Sequence, residues 1–202
     1  MDTLSTLGEA VSLRVQSGSA RGRFLKSRPL AREVRPIAAR IRKSLFDILR
    51  PRLPGALFLD LFAGTGMVGI EALSNGAAKA VFVDADRGSL RMIEDNLAHL
   101  GLGTRAEVVR ADVTGDLRLL SGRVFDIIFL GPPYKDERKL PLALSAPALA
   151  RVSEAGLAGP ETWVILQRHE KEPVEAVLGQ WDRFRENEYG DTRLDFFRIK
   201  GH

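Results

Sequence analysis

Gly64, Gly66 and Gly69 stand at G-x-G-x-x-G spacing directly behind Leu57-Phe58-Leu59-Asp60-Leu61-Phe62-Ala63, where an apolar strand breaks into a small-residue loop. Glycines at such a break let backbone amides approach a ligand with no Cβ in the way, and the helix that follows aims its N-terminus at that ligand. The spacing alone fits a dinucleotide as well as S-adenosylmethionine. Asp60 separates the two, because a strand-end carboxylate suits the cationic amino-acid end of S-adenosylmethionine and would repel a pyrophosphate. The cofactor contacts expected on this turn are Asp60, Phe62, Ala63, Gly64, Thr65 and Gly66.

Further acids fall at later strand ends. Asp84, 20 residues beyond Gly64 and followed by Ala85, occupies the place where such folds bind both ribose hydroxyls. Asp86 reads as readily as a cap for a helix beginning near Ser89. Asp112 and Val113 follow the third strand, where a carboxylate can accept from an adenine amino group. The fourth strand ends in Phe129-Leu130-Gly131-Pro132-Pro133-Tyr134, and Gly131, Pro132, Pro133 and Tyr134 are the candidate catalytic residues. The two prolines stiffen the loop and remove donors, leaving carbonyls to orient an exocyclic amine. Tyr134 offers a face for a purine, a contact worth roughly 1–3 kcal/mol in nucleic-acid sites.

The elements that must hold these residues alternate. Strand patterns at Ala56 to Leu59, Ala80 to Val83, Ala106 to Val109 and Phe125 to Leu130 are separated by helical patterns at Met67 to Asn75 and Ser89 to Leu100. That order implies a parallel sheet with right-handed crossovers. Beyond it a helix is expected at Leu140 to Ala150, a strand at Trp163 to Gln167 and a helix at Glu172 to Leu178. Strands at Arg183 to Glu188 and Leu194 to Ile199, joined by the turn Tyr189-Gly190-Asp191-Thr192, complete the pattern. The expected fold is α/β and Rossmann-like: a mostly parallel seven-stranded sheet closed by an antiparallel hairpin, as in class I methyltransferases.

The net charge of +4 is unevenly placed. Arg14 to Arg52 holds twelve Arg or Lys against Glu33 and Asp47, a segment charge of +10 that leaves −6 elsewhere. A basic, arginine-rich arm on an acidic body suits a phosphate-bearing partner. Within it, Ser12 to Leu25 reads as two short strands around Ser17-Gly18-Ser19, and Pro36 opens an amphipathic helix carrying Ile37, Ile41, Leu45, Ile48 and Leu49. Arg21, Arg23, Lys26, Arg35 and Arg42 are the candidate RNA contacts. Residues 1–11 are expected to be disordered, 12–52 to form the RNA-binding extension and 53–202 the methyltransferase domain. The chain lacks cysteine and its histidines, His99, His169 and His202, are scattered, so no thiolate chemistry or metal site is expected. No apolar run has transmembrane length and Met1 to Glu9 lacks the order of a signal peptide, so a cytoplasmic location is expected.

Taken together, these motifs resemble the bacterial 16S ribosomal RNA guanine-N2 methyltransferases of the RsmD type. The resemblance runs from Arg21-Gly22-Arg23 and Leu25 through Arg35-Pro36, Arg42 and Leu45-Phe46. It continues through Asp60-Leu61-Phe62-Ala63-Gly64-Thr65-Gly66, Gly69, Glu71-Ala72-Leu73-Ser74 and Asn96-Leu97 to Tyr189-Gly190-Asp191-Thr192. It implies methyl transfer from S-adenosylmethionine to the 2-amino group of a guanine in ribosomal RNA. The expected partner is ribosomal RNA or the small ribosomal subunit, and a monomer is expected. Two departures stand out. The family's loop begins Asp-Pro-Pro, whereas this chain has Gly131, and the family's Thr-rich stretch after Arg-Pro is here Ile37-Ala38-Ala39-Arg40. Gly131 motivates a rival reading, an RNA-binding protein that retains the cofactor with weak or lost turnover. A small-molecule methyltransferase is the other rival, and it leaves the +10 segment unexplained.

Overall fold

The computed structural model of the chain describes residues 13–26, 37–136, 138 and 140–201. Strand β1 (Leu57–Leu61), helix α2 (Met67–Ser74), β2 (Lys79–Asp84), α3 (Arg87–Leu100), β3 (Ala106–Arg110) and β4 (Phe125–Leu130) follow one another. Helix α1 (Ala39–Leu49) precedes them, and α4 (Ser145–Glu154) lies between β4 and β5 (Ala158–His169). Short β6 (Val177–Leu178), then β7 (Trp181–Tyr189) and β8 (Thr192–Ile199), end the chain.

One sheet of order β3-β2-β1-β4-β5-β8-β7-β6 results, parallel from β3 to β5 and antiparallel beyond. The inner strands are apolar on both faces because helices cover both: β1 buries Phe58 to Leu61 and β4 buries all but Asp126. One core, around Phe58, Phe82, Ile127, Phe129, Ile165 and Phe196, packs under α1, α2 and α3. The other, around Leu59, Val81, Ile128, Val164, Leu166 and Phe197, packs under α4.

Local chemistry explains the helix ends near the sheet's carboxyl edge. Asp86 caps α3, its Oδ2 accepting from the Ser89 amide at 2.7 Å, and Gly101 ends the helix at φ +71°. Of the two readings of Asp86, the cap is therefore the observed one. Gly66 opens α2 at φ +73°, where a Cβ would also lie 2.8 Å from Ile93. A Cβ on Gly69 would stand 2.3 Å from the Phe82 ring, so the third glycine of the motif lets α2 close onto β2.

The basic N-terminal segment folds onto the same core. The antiparallel pairing of Arg14 with Phe24 makes a small hairpin held by backbone bonds from Val15 to Arg23 and from Leu25 to Leu13, rather than by two full strands. Leu13, Val15, Ala20 and Leu25 join the α1, α2 and α3 side chains in one cluster, which is why every residue of α2 is buried. Ser12, Arg35, Pro36 and residues 1–11 lie outside the described residues.

Three expectations need correction. No helix forms at Glu172 to Leu178. Glu172 instead turns back, its carboxylate on the Ser145 amide and its carbonyl on Arg168, while Val177–Leu178 pairs with β7 as an eighth strand. The four-residue spacing of Val174 and Leu178 mimics a helix, but seven residues cannot offset nucleation against those tertiary bonds. Helix α4 begins at Ser145 rather than Leu140, because Leu140 and Leu142 are engaged ahead of it, Leu140 O accepting from Asp136 N and Leu142 N donating to Tyr134 O. Strand β5 is also longer than Trp163 to Gln167, since its start pairs with Phe125.

Candidate active site

Strand order reverses between β1 and β4, and open α/β sheets bind ligands beyond the carboxyl ends at such a point. There Gly131 N donates to Leu61 O at 3.3 Å, tying the Pro-Pro-Tyr loop to the glycine turn. Phe62, first residue of that turn, holds φ +61°, a left-handed conformation that costs a side-chain-bearing residue energy and marks the turn as constrained. Gly66 N bonds back to Ala63 O, Ala63 N bonds Val83 O, and Thr65 is buried.

Asp84 is half-buried at the end of β2. Its Oδ2 accepts from Gly64 N at 2.8 Å and its Oδ1 from Asp86 N at 2.9 Å, so the carboxylate is fixed with acceptor capacity left. Beside it Ala85, Arg110, Ala111 and Asp112 line an open pocket of about 280 Å³. Asp112 is exposed and held in a tight turn by the Thr114 amide and hydroxyl, whereas the Val113 side chain points into the core. Arg110, which the sequence reading passed over, lays its Nε on Ala85 O and walls this pocket. A fixed acid for hydroxyls, a strand-end trough and a left-handed glycine turn fit a nucleoside-bearing cofactor.

Asp60 departs from its expected role. It is only 1% exposed, and its Oδ2 accepts from Gly69 N at 2.8 Å, clamping the start of α2 rather than standing open in the cleft. Burial, with Asp84's charge adding to it against the Gly69 bond, pushes its carboxyl up to about 8.

Pro132 is buried, Pro133 is exposed, and among the described residues no donor reaches either carbonyl. Tyr134 is held from several sides. Its hydroxyl accepts from Gln167 Nε2 at 2.8 Å, its backbone carbonyl accepts from Leu142, and His169 meets its ring edge-on at 5.7 Å between centroids. Burial raises the phenol above its usual range, opposed by hydrogen bonds from Gln167 and Thr192, so the ring stays neutral. Gln167 and His169 went unread in the sequence, although their place at the carboxyl end of an apolar strand was a usable signal. The Tyr-Gly-Asp-Thr turn touches two partners, with Thr192 beside Tyr134 and Tyr189 bonded to Ser44 of α1.

The basic candidates do not gather at this edge. Arg42 is 3% exposed, placed 3.5 Å from the wholly buried Glu71 and bonded to Arg14 O, so it is a structural pin rather than an RNA contact. Its burial lowers its pKa against the pull of Glu71. Glu71 also accepts from Gln16 N, Ser17 N and Ser17 Oγ, and Ser74 Oγ bonds Ser17 O and Ala20 N. One carboxylate in an otherwise apolar helix was the signal for this buried joint. Arg23 caps the last carbonyls of α3, His99 and Leu100, and Lys26 is held through its backbone by Asn96. Helices α2 and α3 descend from the carboxyl edge, so Ser74 and Leu100, with the hairpin on them, stand at the opposite edge of the sheet.

A family model described as Conserved hypothetical protein 95, the RsmD family, matches residues 13–198. The chain belongs to this methyltransferase family. It is 31% identical to the Bacillus subtilis protein named "Putative rRNA methyltransferase YlbH", over 94% of this chain and all of that one. It is 30% identical to "Ribosomal RNA small subunit methyltransferase D" of Escherichia coli K12, over 92% of this chain and 89% of that one. The solved "Putative methyltransferase yhhF" of E. coli superposes with TM-score 0.79 at 28% identity, covering 95% and 99% of the two chains. An RNA methyltransferase from Salinibacter ruber, solved with S-adenosyl-L-homocysteine, shares the fold at TM-score 0.62 and 15% identity, over 83% and 95%. As an RsmD family member with this sheet, the protein is an S-adenosylmethionine-dependent methyltransferase. Among its described residues no helix is long and apolar enough to cross a membrane.

Proposed function

We propose that the protein methylates the exocyclic N2 of a guanine in small-subunit ribosomal RNA, acting as a cytoplasmic monomer. The observation that carries this is the convergence at one sheet edge of Asp84, the Ala85 to Asp112 pocket, and a loop whose Pro132 and Pro133 carbonyls meet no donor among the described residues. The names of its full-length relatives and the +10 segment, too basic for a small neutral substrate, support RNA as the acceptor.

Asp84 would hold the ribose hydroxyls, Asp112 and the pocket wall the adenine, and the turn from Phe62 to Gly66 the remainder. When bound there, S-adenosylmethionine supplies a methyl group activated on a sulfonium. Asp60 acts one layer back, fixing the start of α2 through Gly69. On the substrate side, Pro132 and Pro133 present carbonyls that accept the amine's hydrogens and turn its lone pair toward the cofactor side. Tyr134, fixed by Gln167 and His169, takes the guanine face. A good leaving group asks for little general base, so positioning supplies most of the acceleration. Residues 12–52 serve as an RNA-binding extension whose buried side is structural.

A second reading, cofactor and RNA binding with little turnover, is favoured by one observation: the Phe129 ring edge occupies the space beside Gly131 where the family's carboxylate would begin. One assay separates the two. Incubation with labelled S-adenosylmethionine and small-subunit RNA or particles lacking the modification should label N2-methylguanosine. Label in no nucleoside, with both ligands bound, would favour the second reading.

A further inference from the structure

We propose that the N-terminal hairpin carries a second RNA contact, a stacking platform made by Phe24 and Arg14 for an unpaired base, remote from the methylation edge. The proposal rests on the ribosomal-RNA reading above and adds to it where, and how far from the target guanine, the RNA is held.

Alternation along the hairpin sets the platform. Leu13, Val15 and Leu25 point into the core, so Arg14 and Phe24, paired across the hairpin, both point out. Phe24 is 56% exposed, and among the described residues no other aromatic side chain is exposed to this degree. A lone exposed apolar residue needs no explanation, but this one is built on. The Arg14 guanidinium lies 5.7 Å from the ring centroid and is held there by an Nε bond to Gly22 O at 3.2 Å. Gly22, at φ +85°, makes the room: a Cβ there would come within 3.3 Å of Arg14 Nη2. Arginine laid over an aromatic ring, both facing solvent, is a surface on which any base can stack. Next to it, exposed Arg21 has no ion pair among the described residues and is placed to meet a phosphate. Arg23, by contrast, is committed to the end of α3.

The distance follows from the crossover geometry. Helix α3 begins beside Asp84 and ends at the carbonyls that Arg23 caps, and its 14 residues span about 21 Å at 1.5 Å each. RNA that touches the platform while its guanine lies at the carboxyl edge must therefore span on the order of one such helix length. A short guanine-bearing fragment cannot do both.

The test compares wild type with Phe24→Ala, Phe24→Trp and Arg21→Gln in binding to deproteinised small-subunit RNA, to a guanine-containing trinucleotide and to S-adenosylmethionine. Phe24→Ala should weaken the long RNA roughly 5- to 100-fold. Phe24→Trp should restore it, and Arg21→Gln should lower the salt slope by about one. Trinucleotide and cofactor affinities, and the melting temperature, should not move. Unchanged binding of long RNA by Phe24→Ala overturns the platform, and an equal loss on the trinucleotide overturns its remoteness. A loss seen only on ribosomal particles, and not on free RNA, would make Phe24 a protein contact and also overturn the proposal. A wild-type protein that binds no RNA would fail the ribosomal-RNA reading together with this one.

Discussion

Replacing Gly131 by aspartate tests the role proposed for the Pro-Pro-Tyr loop. The family's loop begins with aspartate, and a positioned polar group of that kind contributes about 10²–10³ in rate in comparable sites. Backbone strain does not stand in the way, because Gly131 is absent from the residues at positive φ. The obstacle is Phe129, whose Cε1 would lie 2.9 Å from the new Cβ. Ordinary carbon contacts sit near 3.5–4.0 Å, so the ring must retreat by at least half an ångström in a core where it is 3% exposed. Overpacking of that size costs roughly 1–3 kcal/mol, and each kcal/mol lowers the melting temperature of a chain this long by about 2–4 °C. Gly131→Asp should therefore raise the single-turnover rate roughly 10-fold or more while lowering Tm by several degrees. Phe129→Leu should cost less in the Gly131→Asp background than alone, since it removes the colliding ring edge. Single-turnover methyl transfer and thermal melts on the wild type, the two single variants and the double variant supply every number needed. A stable Gly131→Asp variant with no gain in rate refutes the missing-acceptor argument. A wild type already as fast as the variant refutes the view that the carboxylate is needed here.

Asp84→Ala should weaken S-adenosylmethionine binding by about 1–3 kcal/mol, since a fixed charged acceptor is lost, and unchanged affinity by calorimetry would remove Asp84 from the site. Asp60, held near 8 in the fold against 3.8 when free, keeps its proton more firmly folded than unfolded. Its contribution to stability is thus full below about pH 4 and lost as pH rises through 8. Asp60→Asn, neutral and still able to accept from Gly69, should flatten the fall in Tm across that window, and parallel melting curves for the two proteins would contradict the assignment. Glu71→Ala strands the buried Arg42 and releases the hairpin donors, so urea unfolding should show a loss of about 3–5 kcal/mol. A loss under about 1 kcal/mol would mean that the hairpin is held by its apolar side chains alone.

The parts legible in the sequence are those set by period and punctuation. Double-sided apolar strands, the glycine break after Asp60, the acid 20 residues on and the Pro-Pro-Tyr strand end locate the sheet, its reversal point and the loops around it, because each is a local rule. What stayed hidden depends on partners distant in the chain. Asp60 and Arg42 have the residue types of a ligand contact and an RNA contact, yet their chemistry is decided by Gly69 N and by Glu71, which lie 9 and 29 residues away and become neighbours only after folding. Charge counting treated the +10 segment as one surface. The fold divides it: Arg42 is turned inward and Arg23 onto a helix end, Arg14 and Arg21 on the hairpin face solvent about one helix length from the carboxyl edge, and Lys26, Arg40, Lys43 and Arg50 are exposed as well. The same logic ties the Tyr-Gly-Asp-Thr turn to function. Its Tyr189 reaches Ser44 on the basic helix while Thr192 stands beside Tyr134. The turn thus fixes the Tyr134 ring relative to the N-terminal segment, which turn residues alone do not reveal.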